Sequence, residues 1–165
     1  MFVTSVGIKN GIIADIYGKR GSQVSADGMH TYSLPLQIVG APVGTASYAI
    51  VIEDKDAVPV CGFSWIHWTV ANLTRTELAE NESIHSTEFV QGTNSMSGKL
   101  GGLDRLAVSF YGGMSPPDAP HVYEIHVFAL DRLLNLKRGF YMNELYKAMD
   151  GHILDQYTLK GTYRN

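Results

Sequence analysis

Two hydrophobic periods divide this chain. Up to Leu130 the apolar positions follow a strand period. Ile12-Ile13-Ala14-Asp15-Ile16-Tyr17, set between Gly11 and Gly18, predicts a short strand. Tyr32, Leu34, Leu36 and Ile38 alternate with small or polar residues, the period-2 signature. Ser47 to Ile52 is nearly all apolar, as expected of a strand covered on both faces. Trp65 to Leu73 predicts a strand closing on a turn near Asn72, and Leu106 to Tyr111 and Val122 to Leu130 predict two more. Between them Glu77 to Gly102 is polar and rich in Gly and Ser, which predicts a long loop. The period then changes. Tyr141, Leu145 and Met149 fall on one helical face, with a start at Asn143 or Gly139 and an end at Asp150-Gly151. Ile153, Leu154, Tyr157 and Leu159 predict a second short helix, and Gly161-Thr162-Tyr163 an extended tail. Strands first and helices late predict a mainly β (α+β) fold or a β-sandwich, not an alternating α/β one.

Composition narrows the function. The 165 residues suit one domain, residues 1–165. With 45% hydrophobic and 18% charged residues the chain is globular in character, not disordered. A formal net charge of −3 argues against bulk nucleic-acid binding, which needs a dense Lys/Arg surface. Cys61 is the one cysteine, which excludes an intrachain disulfide and is expected as a reduced, mostly buried thiol. His67, six residues on, would lie roughly 20 Å away along a strand, too far to activate it. Met1 to Ser5 has neither a basic stretch nor a long apolar run, and no window resembles a membrane span. The expectation is a cytoplasmic protein without integral membrane association.

Four clusters could carry chemistry. Asp54 and Asp56, just after the apolar strand, project to one side if the extended backbone continues; an ordinary charged turn is the alternative. In Trp65-Ile66-His67-Trp68 the histidine shares a face with Trp65, and Trp68 faces the other way; a satisfied core histidine is the alternative. Tyr111-Gly112-Gly113-Met114-Ser115-Pro116-Pro117 permits close backbone approach and could present N–H groups to an oxyanion, or serve only as a rigid connection. His121 and Tyr123 point the same way at a strand start; a strand edge with a polar start is the alternative.

Together, in this order and spacing, the four clusters resemble the phosphatidylethanolamine-binding (Raf-kinase-inhibitor-like) family, and the bacterial branch in particular. That family has an Asp-Pro-Asp-Ala-Pro segment, Trp-x-His-Trp, Tyr-x-Gly-x-x-Pro-Pro, and His-x-Tyr followed by Tyr-Ala-Leu-Asp. The chain has Asp54-Lys55-Asp56-Ala57, Trp65 to Trp68, Tyr111 to Pro117, His121 to Tyr123 and Phe128-Ala129-Leu130-Asp131, then Ala148 to Leu154 and Leu159 to Tyr163. The resemblance implies a large central antiparallel sheet packed on a smaller one, with C-terminal helices and a small anion pocket at one end. Asp54, Asp56, Trp65, His67, His121 and Tyr123 would line the pocket, with Tyr111, Gly112, Gly113, Pro116 and Pro117 as wall and floor. The implied occupant is phosphate-, acetate- or phosphoethanolamine-like. His67 and His121 would supply N–H groups and Tyr123 a hydroxyl, while the carboxylates orient the histidines and favour their charged form. Lys55 and Val58 stand where the family has prolines, so a cis bond is expected at Val58–Pro59 or nowhere. Val122 replaces a basic residue near the mouth, which weakens the case for a phospholipid headgroup.

Three function classes follow: a small-anion binding protein; a kinase or protease inhibitor acting through protein binding; and an enzyme or metal protein built on Asp54, Asp56, His67 and His121. No catalytic motif supports the third, so no catalytic residue, metal or cofactor is assigned. A homodimer is a further implication of the resemblance.

Overall fold

The computed structural model describes residues 1–165. The strands are β1 (Phe2–Thr4), β2 (Ile8–Lys9), β3 (Ile12–Ile13), β4 (Leu36–Val39), β5 (Ser47–Asp54), β6 (Trp65–Leu73), β7 (Glu77–Leu78), β8 (Val90–Gln91), β9 (His121–Leu130) and β10 (Ile153–Tyr163). Two α-helices accompany them, α1 (Val58–Cys61) and α2 (Met142–Met149). A seven-stranded sheet runs β2-β3-β10-β9-β5-β6-β8, and a three-stranded sheet runs β1-β4-β7. All pairings are antiparallel except β3 with β10. The fold is mainly β.

The main core lies between the two sheets. Val3, Leu36, Ile38 and Leu78 of the small sheet meet Ile50, Ile52, Trp68, Val70, Ile125 and Val127 of the large one. A second core covers the opposite face of the large sheet, where Ala49, Val51, Ala71 and Phe128 pack against Leu145 and Met149 of α2. This two-sided burial is why β5 reads as an unbroken apolar run: Ser47 to Ile52 are all buried.

Three expected elements are corrected. Residues 153–163 form one strand, β10, and not a helix plus tail. Ten of its residues pair with β9, and Tyr157, Leu159, Gly161 and Tyr163 turn inward while Gln156, Thr158 and Lys160 face solvent. Leu106 to Tyr111 is a turn and not a strand: the Asp104 carboxylate accepts hydrogen bonds from the Leu106 and Ala107 N–H groups and so curls the chain. The first predicted strand is β3 only as far as Ile13, and Asp15–Tyr17 closes as a 3-10 turn. Within Glu77–Gly102 lie β7, β8 and two 3-10 turns. Helix α2 begins at Met142, capped by Tyr141 and Glu144, whose carboxylate accepts from the Tyr141 N–H at 2.7 Å.

Candidate functional site

Because β5 and β6 are antiparallel and β9 is antiparallel to β5, the end of β5 and the starts of β6 and β9 meet at one end of the large sheet. Asp54 pairs there with both Trp65 and Tyr123. A cavity of about 340 Å³ opens at this end, within the lower range of small-molecule pockets. Asp54, Trp65, His67, Gly112, Gly113, Pro117, His121 and Tyr123 line it, as do Ala57, Cys61 and Ser115. From the N-terminal part of the chain Met29 and His30 close one side.

A β-bulge aims His67. The register between β5 and β6 slips between Ile52 and Glu53: Ile52 pairs with Trp68, but Glu53 pairs with Ile66, leaving His67 as the extra residue. Strict alternation would put His67 and Trp68 on opposite faces. The bulge instead lets the His67 ring pack edge-on against Tyr123, centroids 5.1 Å apart, while Trp68 packs edge-on against Tyr111 at 5.6 Å. Tyr123, Trp68 and Tyr111 all belong to the core between the sheets.

Gly112 holds His67 from both sides. Its N–H donates to the His67 carbonyl and its own carbonyl accepts from His67 Nδ1, both at 2.8 Å. Burial pushes the His67 pKa down, outweighing the Gly112 carbonyl and the Asp54 charge, which favours the neutral ring. His121 behaves in the opposite way. Burial opposes its protonation, but the hydrogen bonds and charges of Asp54 and Asp118 prevail and raise its pKa. Its Nδ1 lies 2.7 Å from Asp54 Oδ2 and its Nε2 2.9 Å from Asp118 Oδ1. The second Asp54 oxygen accepts from the Ala57 N–H at the start of α1.

These contacts correct the expected donor set. His67 has its N–H bonded to Gly112, and both His121 nitrogens face carboxylates, so neither imidazole offers a free N–H to the cavity. The Gly112 and Gly113 N–H groups are likewise bonded, to the carbonyls of His67 and His30. Among the residues that line the cavity, the buried polar atom left without a partner is the Tyr123 hydroxyl, on a fully buried side chain. Asp54 and the Ser115 backbone lie near enough to act on its acidity without reaching hydrogen-bond geometry, and burial first, then Asp54, raises its pKa.

Three predicted residues lie elsewhere. Asp56 is exposed, and its carboxylate accepts from the Val122 N–H, tying the β5 exit to β9; it does not join Asp54, His67 and His121 as a ligand set. Tyr111 is fully buried in the core, its hydroxyl donating to the Tyr17 carbonyl at 2.6 Å, so it positions Gly112 without lining the cavity. Pro116 is buried behind the wall and its carbonyl accepts from Lys19 Nζ. Cys61 is half-buried and lines the cavity together with His67, because α1 and the turn after it fold the chain back; the extended-chain separation does not apply. There is no cis peptide: Val58 opens α1 with Pro59 in its first turn. Sequence reasoning missed Asp118, whose signal was a carboxylate three residues before His121, and His30, which had none. Elsewhere, Glu53, Glu124 and His126 form another compact acid–imidazole group, where Glu124 is paired with Lys55 and Lys160.

The chain is a two-sheet β fold with a helix on its far face and, at the sheet's end, a largely apolar cavity that carries a few polar groups. A phosphatidylethanolamine-binding protein family model matches residues 4–164. The chain is 40% identical over 156 residues to the uncharacterized protein YxkA of Bacillus subtilis, covering 92% of this chain and 93% of that one. It is 39% identical over 135 residues to a UPF0098 protein of Chlamydia pneumoniae, covering 79% and 81%. Among solved structures, a putative phosphatidylethanolamine-binding protein homolog, CT736 of Chlamydia trachomatis, superposes with TM-score 0.80 at 32% identity over 99% of this chain and 96% of that one. Escherichia coli YbcL, described as a member of the mammalian family, gives 0.76 at 25% over 99% and 97%. The chain belongs to the phosphatidylethanolamine-binding protein family. No helix is long and apolar enough to cross a membrane.

Proposed function

We propose that this protein is a binding protein for a small oxyanion, a phosphoryl or carboxylate group, held in the cavity at the end of β5, β6 and β9, and not an enzyme. The observation that carries the reading is the Tyr123 hydroxyl: fully buried, without a partner, and on a residue that lines the cavity. A buried hydroxyl left unpaired costs about 1–3 kcal/mol, which an acceptor oxygen of a ligand removes. His121 supports the reading, because Asp54 and Asp118 raise its pKa and so favour a positive charge at the same cavity. Displacing Asp118, whose side chain is 59% exposed, frees the Nε2–H of His121 for the same oxyanion. The apolar part of the wall, Met29, Ala57, Trp65 and Pro117, suits a small organic substituent. Titration of the protein with inorganic phosphate tests the reading. Saturable one-to-one binding that weakens in His121→Ala supports it; no heat and no stabilisation by phosphate or acetate contradicts it.

A further inference from the structure

We propose that the cavity selects an occupant that carries its own proton, a hydrogen-phosphate group in preference to sulfate or a phosphodiester, and that His67 sets this selectivity. The inference rests on the oxyanion reading above and adds which oxyanion fits.

One contact fixes the His67 tautomer. The Gly112 carbonyl lies 2.8 Å from His67 Nδ1, and a carbonyl oxygen can only accept. Nδ1 therefore carries the ring proton. The ring's hydrogen bond is made by Nδ1 alone, which leaves Nε2 free of a hydrogen-bonded partner, and His67 borders the cavity. On a neutral ring that nitrogen is an acceptor. It would repel the lone pairs of any oxygen without a hydrogen.

Protonating Nε2 instead would place a second imidazolium in the same cavity as His121. The ring is 5% exposed, and burial lowers its pKa. The groups that face it are Asp54, His121 and Tyr123, with His30 and Cys61 across the cavity and Asp118 acting through His121. Of these only Asp54 favours a charged His67, and Asp54 is already bonded to His121 and to the Ala57 N–H. The two carboxylates also outnumber the single imidazolium, which disfavours an occupant of high negative charge.

Hydrogen phosphate satisfies both orphan atoms at once. Its O–H donates to His67 Nε2, and one of its bare oxygens accepts from the Tyr123 hydroxyl. No proton changes hands. Sulfate and a phosphodiester present only acceptors near neutral pH. To bind, either must draw a proton from solvent onto Nε2. Their affinity therefore falls as pH rises above the His67 pKa, and by about tenfold per pH unit. A site with a committed acceptor rejects an occupant lacking the matching donor by roughly tenfold to a hundredfold or more.

Isothermal titration of the intact protein decides the matter. The probes are inorganic phosphate, sulfate and dimethyl phosphate at about pH 7.5, each in two buffers of different ionisation heat, which reports protons taken up. Inorganic phosphate and sulfate are alike in size and shape, so their difference reads the proton. The expected result is phosphate at least tenfold tighter than the other two, with no proton uptake. Sulfate should take up close to one proton and tighten at about pH 5.5. An imidazole nitrogen spectrum of the ligand-free protein should show His67 as the Nδ1–H tautomer. Methyl phosphate at about pH 5.5, where it keeps one proton, separates the sources: parity with inorganic phosphate assigns a phosphomonoester, and exclusion assigns free phosphate. Equal affinity for phosphate and sulfate overturns the inference and leaves the oxyanion reading standing. Failure of all four probes to bind overturns both.

Discussion

Replacing Tyr123 with phenylalanine should make the empty protein more stable and the binding protein worse. The hydroxyl is buried in a fully inaccessible side chain and has no partner. An unsatisfied buried hydroxyl costs about 1–3 kcal/mol, and the Asp54 carboxylate, near enough to raise the Tyr123 pKa, offsets part of that. The lower end, about 1 kcal/mol, is the expected gain, or roughly 2–4 °C in Tm for a domain of this size. The ring stays in place, since Phe keeps the edge contact with His67 and the packing between the sheets. The effect on binding has the opposite sign. A hydrogen bond to a charged oxyanion contributes about 1.5–3 kcal/mol, so phosphate affinity should fall roughly tenfold to a hundredfold. Urea unfolding with and without saturating phosphate reads both effects. Wild-type protein should gain stability with ligand as RT ln(1 + [L]/Kd) requires, and the variant should respond far less. A Tyr123→Phe protein that is less stable without ligand, or that binds phosphate as wild type does, would refute the assignment of an orphan hydroxyl aimed at a ligand.

Three further outcomes are expected. Asp118→Ala should tighten phosphate binding, because it removes a carboxylate competing for His121 Nε2; the same variant should lower the His121 pKa in an NMR titration, with Asp54 still holding Nδ1. Glu53, held by the His126 hydrogen bond against the cost of burial, has its pKa lowered from 4.5 to about 2. Its folded pKa lies below its unfolded one, so its contribution is full above about pH 4.5 and is lost as pH falls towards 2. Glu53→Gln should therefore flatten the acid limb of stability in that window, measured by urea unfolding at successive pH values. Gly92→Ala should destabilise by about 1–3 kcal/mol, because an added Cβ would sit 2.5 Å from the Phe140 carbonyl oxygen and against the Thr69 hydroxyl of β6; wild-type-like thermal unfolding would contradict it.

The strands that build the site could be read from the sequence because each is buried. Beta-strands β5, β6 and β9 carry the apolar runs that only a covered sheet centre tolerates. Strand β10 could not, since its outer half is solvated and Ile153, Leu154 and Tyr157 fit a helical face as well as a strand edge. Pairing with β9 decided it, a long-range effect absent from local pattern. At the site, Asp54, His67, His121 and Tyr123 followed from the four clusters taken together. Their roles did not. A one-residue bulge turns His67 toward Tyr123, and no composition rule marks the bulge. Tyr111 and Asp56 have the right chemistry but serve the core and the β5–β9 junction. The donors expected of the two glycines are engaged by carbonyls that only the folded chain brings near.

On the proposed function, an oxyanion fills the cavity that Tyr123 and His67 line. A crystal structure of the protein soaked in inorganic phosphate tests it most directly. The account predicts a tetrahedral group within hydrogen-bond distance of the Tyr123 hydroxyl and His67 Nε2. Phosphate found only on the outer surface, with the Tyr123 hydroxyl bonded to protein and the cavity closed by side chains, would contradict it.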